Sequence, residues 1–275
     1  MRIISKLTVL LLLAIVMPAS AQSTFREAFT NFQKVNPSNT MLSGNTMRNA
    51  LSTLNKSLLK NYDEEISNKL LDEYINERLF DDVVDATIEY FEGKVTTEEL
   101  NELTSLLNTP KGSAFRAHTM DINKRMEHFE QIGVDAMMAI TQGNTPEKIT
   151  EKPGIPKKYK KLFNEYYASS NTNETLSSLI QSLSSLTEAN PEGKKWFDQF
   201  QTYLNENMPT LYLNEFYGTM TVDDLKFGNK LNNTQAWKNF NKGAKDMISH
   251  STELGMSIVT NYLTWLSNQG EDINF

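Results

Sequence analysis

Three histidines are the side chains of this sequence best suited to acid–base chemistry: His118, His128 and His250. His118 and His128 are ten residues apart, which on a helix separates them by about 15 Å, so they do not share a metal ion. His118 with Asp121 and His250 with Glu253 form i, i+3 pairs, a spacing typical of surface hydrogen bonds on a helix. The histidines therefore identify no catalytic residue, and we predict no metal site.

Other signatures of catalysis are missing from the sequence. It has no cysteine, no Gly-x-Ser-x-Gly nucleophile motif and no His-Glu-x-x-His zinc motif. Phosphate-binding loops of the Gly-x-Gly-x-x-Gly or Gly-Lys-Ser type are also absent, so we predict no cofactor. Paired carboxylates are the remaining option, but with 34 acidic residues the sequence does not single out a pair.

The first 21 residues have the pattern of a cleaved secretory signal. Arg2 and Lys6 precede an apolar run from Leu7 to Met17, and Ala19-Ser20-Ala21 provides the small residues that a signal peptidase needs. We expect the mature chain to begin near Gln22, to have no transmembrane segment, and to lie in the periplasm or outside the cell. Its net charge would be −9, because two basic residues leave with the signal, and that sign disfavours nucleic acid as a partner.

One stretch occurs twice and organises the helices. Residues 91–115 align without gaps on residues 216–240 at a shift of 125, with identical residues at eight positions: Phe91/Phe216, Gly93/Gly218, Thr96/Thr221, Leu100/Leu225, Leu106/Leu231, Asn108/Asn233, Thr109/Thr234 and Phe115/Phe240. The helical phase of the apolar residues continues through 91–140 and 216–265, which indicates an internal duplication. We predict an all-α bundle of two related multi-helix repeats without significant sheet.

Helix start signals place the elements within each repeat. Thr96 with Glu99, and Thr221 with Asp224, are spaced as capping boxes. Asn108 or Thr109 ends the first helix and caps the next one, which has Pro110 in its first turn. Apolar residues at alternating spacings of four and three then predict a single long helix in each copy, over about 110–140 and 235–265.

The remaining chain divides at composition changes. We predict a signal peptide (1–21), an N-terminal helical arm (22–62), repeat 1 (63–142), a Pro/Gly linker (143–156) and repeat 2 (157–275). The linker assignment depends on three prolines and two glycines among polar residues in 141–156.

The motif of the first copy resembles a known family. Residues 96–100 read Thr-Thr-Glu-Glu-Leu, and a leucine-rich helix and Thr-Pro-Lys-Gly at 109–112 follow, with Phe115 after them. This resembles the uncharacterised bacterial family "domain of unknown function 2059", in which Ser-Pro-x-Gly leads into a long helix. The second copy keeps Thr221, Asp224, Leu225 and Phe240 but has Gln235-Ala236-Trp237 in place of Pro-x-Gly. The resemblance implies an exported bacterial helical domain and brings no established activity or catalytic residue.

Four local patterns allow a functional and a structural interpretation. The arm could dock on a partner or a membrane, or pack as ordinary helices. Asp81, Asp85 and Glu89 could bind calcium or line a solvated helix face. The lysines around Tyr159 could bind a polyanion, and Met126, Met137 and Met138 could line an adaptable groove or the core. The structural interpretation is favoured in each case.

The function expected from these patterns is binding. We predict a non-catalytic binding or interaction module of the cell envelope, whose partner is a protein, a peptide or an apolar ligand, with a homodimer as a further option. The alternative is an envelope-associated hydrolase that uses carboxylate or histidine acid–base groups. The candidate binding region is where the two copies differ: Pro110, Lys111, Gly112, Gln235, Ala236 and Trp237.

Overall fold

The computed structural model describes residues 24–37, 51–56, 64–125, 127–170 and 191–269, without the side chains of 127–130, 191 and 251–252. These residues form helices and no strand, and one isolated bridge joins Tyr217 and Met220. The all-α prediction is therefore confirmed. The helices are α1 (24–33), α2 (51–56), α3 (Glu64–Glu77), α4 (Leu79–Thr87) with a 3₁₀ turn at Ile88–Tyr90, α5 (Thr97–Leu107), α6 (Pro110–Arg125), α7 (Glu127–Thr141), α8 (Lys157–Ser169), α9 (Pro191–Phe216), α10 (Val222–Asn232), α11 (Gln235–Ser249) and α12 (Ser251–Asn268).

Both predicted capping boxes are present at the starts of α5 and α10. Thr96 Oγ1 accepts a hydrogen bond from Glu99 N at 3.2 Å, and Glu99 Oε2 accepts one from Thr96 N at 2.9 Å. Thr221 and Asp224 make the same pair of bonds at 3.1 and 2.7 Å. Each box satisfies amides that have no partner within the first helical turn, which fixes where the helix begins.

The helix bounds repeat at the shift of 125 residues. α5 and α10 coincide at both ends, and α6 and α11 coincide at their first residue. Gly93 and Gly218 precede them with φ of +74° and +101°, backbone angles that glycine adopts without strain. The helix bounds therefore agree with the shift of 125 residues, and the internal duplication stays a prediction.

The prediction of one long helix per copy is wrong for the second copy. α11 ends at Ser249 and α12 begins at Ser251, because His250 has φ −109° and ψ 21°, outside helical geometry. The His250 ring provides a reason, since its Nδ1 lies 2.9 Å from the Asp246 carbonyl oxygen and can bond a carbonyl at the end of α11. In the first copy α6 ends at Arg125 and α7 begins at Glu127, and residue 126 lies outside the described residues. The apolar pattern does not detect the break because the helices on either side of it stay in phase.

Helices of one copy pack on helices of the other in a reciprocal way. α5 packs on α11, while α10, its counterpart, packs on α6. In the same way, α4 packs on α12. The residues that correspond to α4 at the shift of 125 lie in α9, and α9 packs on α7. Both hydrophobic clusters of the described residues consequently contain side chains from both copies.

Aromatic side chains form the centre of the larger cluster. The Phe91 ring is stacked on Phe240 with 4.6 Å between centroids, and α1 inserts Phe29 against Phe91 at 4.9 Å and Phe32 against Phe240 at 4.7 Å. Phe29 and Phe32 are fully buried. The apolar face of α1 is therefore part of the core, which leaves it unavailable to a partner or a membrane.

Gly243 is needed for the contact between the copies. A Cβ atom added at Gly243 would lie 2.4 Å from Cδ1 of the buried Phe91 ring. We expect Gly243→Ala to lower the free energy of unfolding by about 1–3 kcal/mol, because the ring has no free space to move into. Gly255 is also helical but has no atom within 4 Å of such a Cβ, so Gly255→Ala should raise it by about 0.5–1 kcal/mol. Urea unfolding measures both, and equal midpoints for the two variants would contradict this packing.

Buried tyrosines make the fold sensitive to alkali. Burial raises the pKa of Tyr212 and Tyr262 to about 12, and it also raises the pKa of four further tyrosines, Tyr74, Tyr159, Tyr166 and Tyr167. Because the folded pKa exceeds the unfolded value of 10.0, this stability is fully present below pH 10 and is lost as the pH rises toward 12. We expect tyrosinate absorbance and loss of helical circular dichroism to rise together in an alkaline titration. Ionisation of all ten tyrosines near pH 10 with the helices intact would contradict it.

Candidate functional site

The candidate binding region at 110–112 and 235–237 forms the first turns of α6 and α11. Gly112, Ala236 and Trp237 are buried, while Pro110, Lys111 and Gln235 are exposed. A Cβ at Gly112 would lie 2.2 Å from the Leu106 carbonyl oxygen, so the glycine allows α5 and α6 to approach closely. Trp237 packs against Phe240 at 5.9 Å and Phe32 at 6.3 Å. Half of the predicted region thus packs within the fold. The residues at 110–112 and 235–237 make different contacts there, since Gly112 lies against the backbone of Leu106 and Trp237 packs on aromatic rings.

His118 has a partner that sequence spacing did not suggest. Its Nδ1 lies 2.9 Å from Oδ2 of Asp224, which is 106 residues away, while Asp121 pairs with Arg125. The same Oδ2 atom accepts hydrogen bonds from Thr221 N at 2.7 Å and Thr221 Oγ1 at 2.6 Å. The one signal in the sequence was that Asp224 belongs to a predicted capping box. Sequence spacing could not show that α6, which carries His118, packs against it.

The Thr221, Asp224 and His118 arrangement is a structural bridge in its present geometry. Activation of a hydroxyl nucleophile requires the histidine to contact that hydroxyl, with the carboxylate behind the ring. Here the carboxylate lies between the other two groups, and the Thr221 hydroxyl both donates to Asp224 and accepts from its amide. The cluster therefore fixes the start of α10 against α6. A comparable bridge joins the first copy to α11, where Asn239 Nδ2 donates to Glu99 Oε1 at 2.7 Å.

A second group of titratable side chains surrounds the break between α11 and α12. Lys94 Nζ donates to the Tyr90 carbonyl oxygen at 2.7 Å and forms an ion pair with Asp246. The hydrogen bond from Lys94 holds the pKa of the Asp246 carboxyl below its usual value. The Tyr90 ring is stacked on His250 at 5.4 Å, and desolvation, followed by nearby carboxylates, raises the pKa of Tyr90. These contacts join the first copy to the end of α11, and His250 contacts Asp246 and Ser249 in place of the predicted Glu253.

The other local patterns are accounted for in part by ion pairs. Asp85 pairs with Arg26, Lys160 pairs with Glu151, and the Tyr159 ring is buried. The side chains of His128 and Met126 lie outside the described residues. In the described part of the chain, no three His, Asp or Glu side chains are placed to hold a metal ion.

Outward apolar side chains occur at matching positions on α7 and α12. Val134 and Met138 on α7 correspond at the shift of 125 to Val259 and Leu263 on α12, and Met256 lies one turn before Val259. Val134, Met138 and Met256 are each at least half exposed, and Leu263 is exposed as well. These five side chains are called the outward apolar faces below; Val259 is half-buried, and the other four are among the six large apolar side chains that are exposed in the described residues.

Charge is sparse around the apolar face of α12. From Leu254 to Asn268 the helix has no charged residue, and its solvent side carries Ser257, Thr260 and Thr264. By contrast, a shallow open depression along α3 is lined by charged and amide side chains: Glu64, Glu65, Asn68, Lys69, Asp72, Glu73 and Asn76. The centres of protein interfaces are depleted of charge, so the α12 face has the composition of a contact surface.

Comparisons with protein-family models, curated proteins and solved structures found no match for this chain. The resemblance to the family named above therefore stays a prediction. None of the helices in the described part of the chain has the length and apolar character that crossing a membrane requires.

The bridge at Asp224 can be tested with its sequence neighbour as control. Asp224 is buried and bonds both Thr221 and His118, whereas the Asp223 side chain is 74% exposed. We expect Asp224→Ala to lower the free energy of unfolding by about 2 kcal/mol, because it removes the charged acceptor of the capping box and of the bond to His118. Asp223→Ala should change it by less than about 0.5 kcal/mol. Chemical denaturation measures both, and an Asp224 variant as stable as wild type would show that the bridge contributes nothing.

Proposed function

We propose that the protein is an exported, non-catalytic helical module of the bacterial cell envelope that binds a protein, a peptide or an apolar ligand. The observation that carries the proposal is the pair of outward apolar faces on α7 and α12. Met138 and Leu263 are exposed at equivalent positions of the two copies, and α12 carries no charge from Leu254 to Asn268; exposed apolar side chains beside an uncharged surface are typical of contact surfaces.

Export is supported by the leader pattern of residues 1–21, which lie outside the described residues. The lack of cysteine fits a chain held together by packing, and the shared core of the two copies supplies that packing.

The non-catalytic part is supported by the bonding of the histidines. His118 is engaged with the capping box of α10, and His250 is engaged with the end of α11. Both rings have partners that join one copy to the other or one helix to the next. The envelope hydrolase is less well supported, because the Ser249 hydroxyl beside His250 donates to the Asp246 carbonyl oxygen at 2.7 Å, and the same ring nitrogen of His250 faces that carbonyl at 2.9 Å.

The outward apolar faces can be tested by adding charge to them. We expect Met138→Lys with Met256→Lys to weaken binding of an apolar fluorescent dye and of a synthetic amphipathic helix by about tenfold or more, as when contacts worth over 1 kcal/mol are lost. Both side chains are exposed, so helical circular dichroism and the urea midpoint should stay near those of wild type. Fluorescence titration measures binding, and sedimentation equilibrium shows whether a second copy is the partner.

The matched control places lysine at exposed polar positions of two other helices, Asn68→Lys on α3 with Ser105→Lys on α5. It should bind as wild type does. A wild-type chain that is monomeric and binds neither probe would remove the support for a binding module. Export is tested by determining the N-terminus of the protein purified from the cell envelope. An N-terminus that is not near Gln22 would contradict cleavage of the predicted signal.

A further inference from the structure

The connection between the two copies lies along α9 and is hydrogen-bonded to it. Residues 143–156 contain no helix, and residues 147–154, called the strap below, follow the helix from Tyr203 to just past its end. Tyr203 Oη donates to the Glu147 carbonyl oxygen at 3.1 Å, and Tyr217 Oη donates to the Gly154 carbonyl oxygen at 3.3 Å. The strap therefore runs parallel to α9.

Two asparagines of α9 bond the middle of the strap through its backbone. Asn207 Oδ1 accepts from Ile149 N at 2.8 Å. Asn214 Oδ1 accepts from Lys152 N at 2.8 Å, while its Nδ2 donates to the Thr150 carbonyl oxygen at 2.9 Å. Asn214 thus pairs with a donor and an acceptor of the strap backbone at once, as a neighbouring β-strand would do.

The spacing of the asparagines matches the repeat of an extended chain. Seven residues separate Asn207 from Asn214, which is about 10.5 Å along a helix. Three residues separate Ile149 from Lys152, which is about 10 Å along an extended strand. Side chains seven apart on one helix face can therefore bond an extended backbone at every third residue.

The strap contributes few side-chain contacts of its own. Glu147, Lys148, Thr150 and Glu151 are exposed, and Ile149 is half-buried. Lys152 Nζ makes the main polar side-chain contacts, to the Asn214 carbonyl oxygen at 3.0 Å and to Glu215 at 3.5 Å. The helix consequently recognises mostly the backbone, and backbone groups are common to all polypeptides.

With the strap in place both asparagines are buried, and their side-chain oxygens accept hydrogen bonds from its backbone. Asn207 and Asn214 are only 3% and 6% exposed, and buried amide groups in proteins are almost always hydrogen-bonded. If the strap left, another extended polypeptide could supply the same donors and acceptors. We propose that the α9 face formed by Tyr203, Asn207, Asn214 and Tyr217 is a binding site for extended polypeptide, which the strap occupies here and a segment of a partner protein takes in its place.

This site differs from the outward apolar faces, so either proposal can fail while the other stands. The test uses the full mature chain with a weakened strap, Ile149→Gly, and a fluorescent peptide with the sequence of residues 145–155. In wild type the strap competes at an effective concentration in the millimolar range, which should mask the site. We expect the Ile149→Gly variant to bind the peptide at least about tenfold more tightly than wild type, measured by fluorescence anisotropy.

Two controls separate recognition of the backbone from other binding. The same peptide with N-methyl groups at the positions of Ile149 and Lys152 lacks both amide donors and should lose binding, although the protein is unchanged. A peptide with serine at the positions of Glu147, Lys148 and Glu151, and with Lys152 kept, should still bind. Asn214→Asp in the weakened chain keeps the side-chain shape, removes the donor to the backbone carbonyl and should abolish binding.

The proposal is overturned if the folded Ile149→Gly variant does not bind the peptide, or if the N-methylated peptide binds equally well. Either result would make the strap a fixed connection only. Binding that depends on Met138 and Met256 but not on Asn214 would assign the peptide to the outward apolar faces and would also overturn it.

Discussion

The fold depends on the close contact between Phe91 of the first copy and Gly243 of the second. The ring occupies the space that a side chain at Gly243 would fill, and it is stacked on Phe240 of the same helix. A related contact occurs at Gly228 on α10, where a Cβ would meet Tyr166 and Phe115 at 2.5 and 2.7 Å. The second copy therefore supplies two glycines that aromatic rings of the first copy, Phe91 and Phe115, pack against, with Tyr166 of α8 completing the second contact. Neither copy could bury its apolar stripe alone.

Polar bridges follow from this interlocked packing. Asp224 bonds His118, Glu99 bonds Asn239, and Lys94 pairs with Asp246. In every case a residue near a helix start of one copy meets the long helical region of the other. In the described residues, side chains that could perform acid–base chemistry thus align the two copies.

Local sequence rules located much of the secondary structure, because they act within a few residues. The capping boxes at Thr96 and Thr221 appear as predicted, and the aromatic residues of 91–115 and 216–240 are in the core. The continuous long helix was wrong because the apolar period is the same on both sides of His250. The partners predicted for His118 and His250 were also different in the structure, since i, i+3 spacing describes one helix and cannot show what packs beside it.

By itself the sequence determined an all-helical chain and the starts of its capped helices, and it predicts a repeat with a shift of 125 residues. These properties depend on local hydrogen bonds and on the spacing of apolar residues, both of which can be read along one chain. Only the tertiary structure decided that helices of the two copies alternate in the packing. It also decided that three of the six residues at 110–112 and 235–237 are buried and three are exposed. The bonds from the linker to Asn207 and Asn214 likewise appear only in the folded chain. Such contacts join residues that are 58 positions apart, as for Ile149 and Asn207, or 152 positions apart, as for Lys94 and Asp246, and no local pattern specifies them.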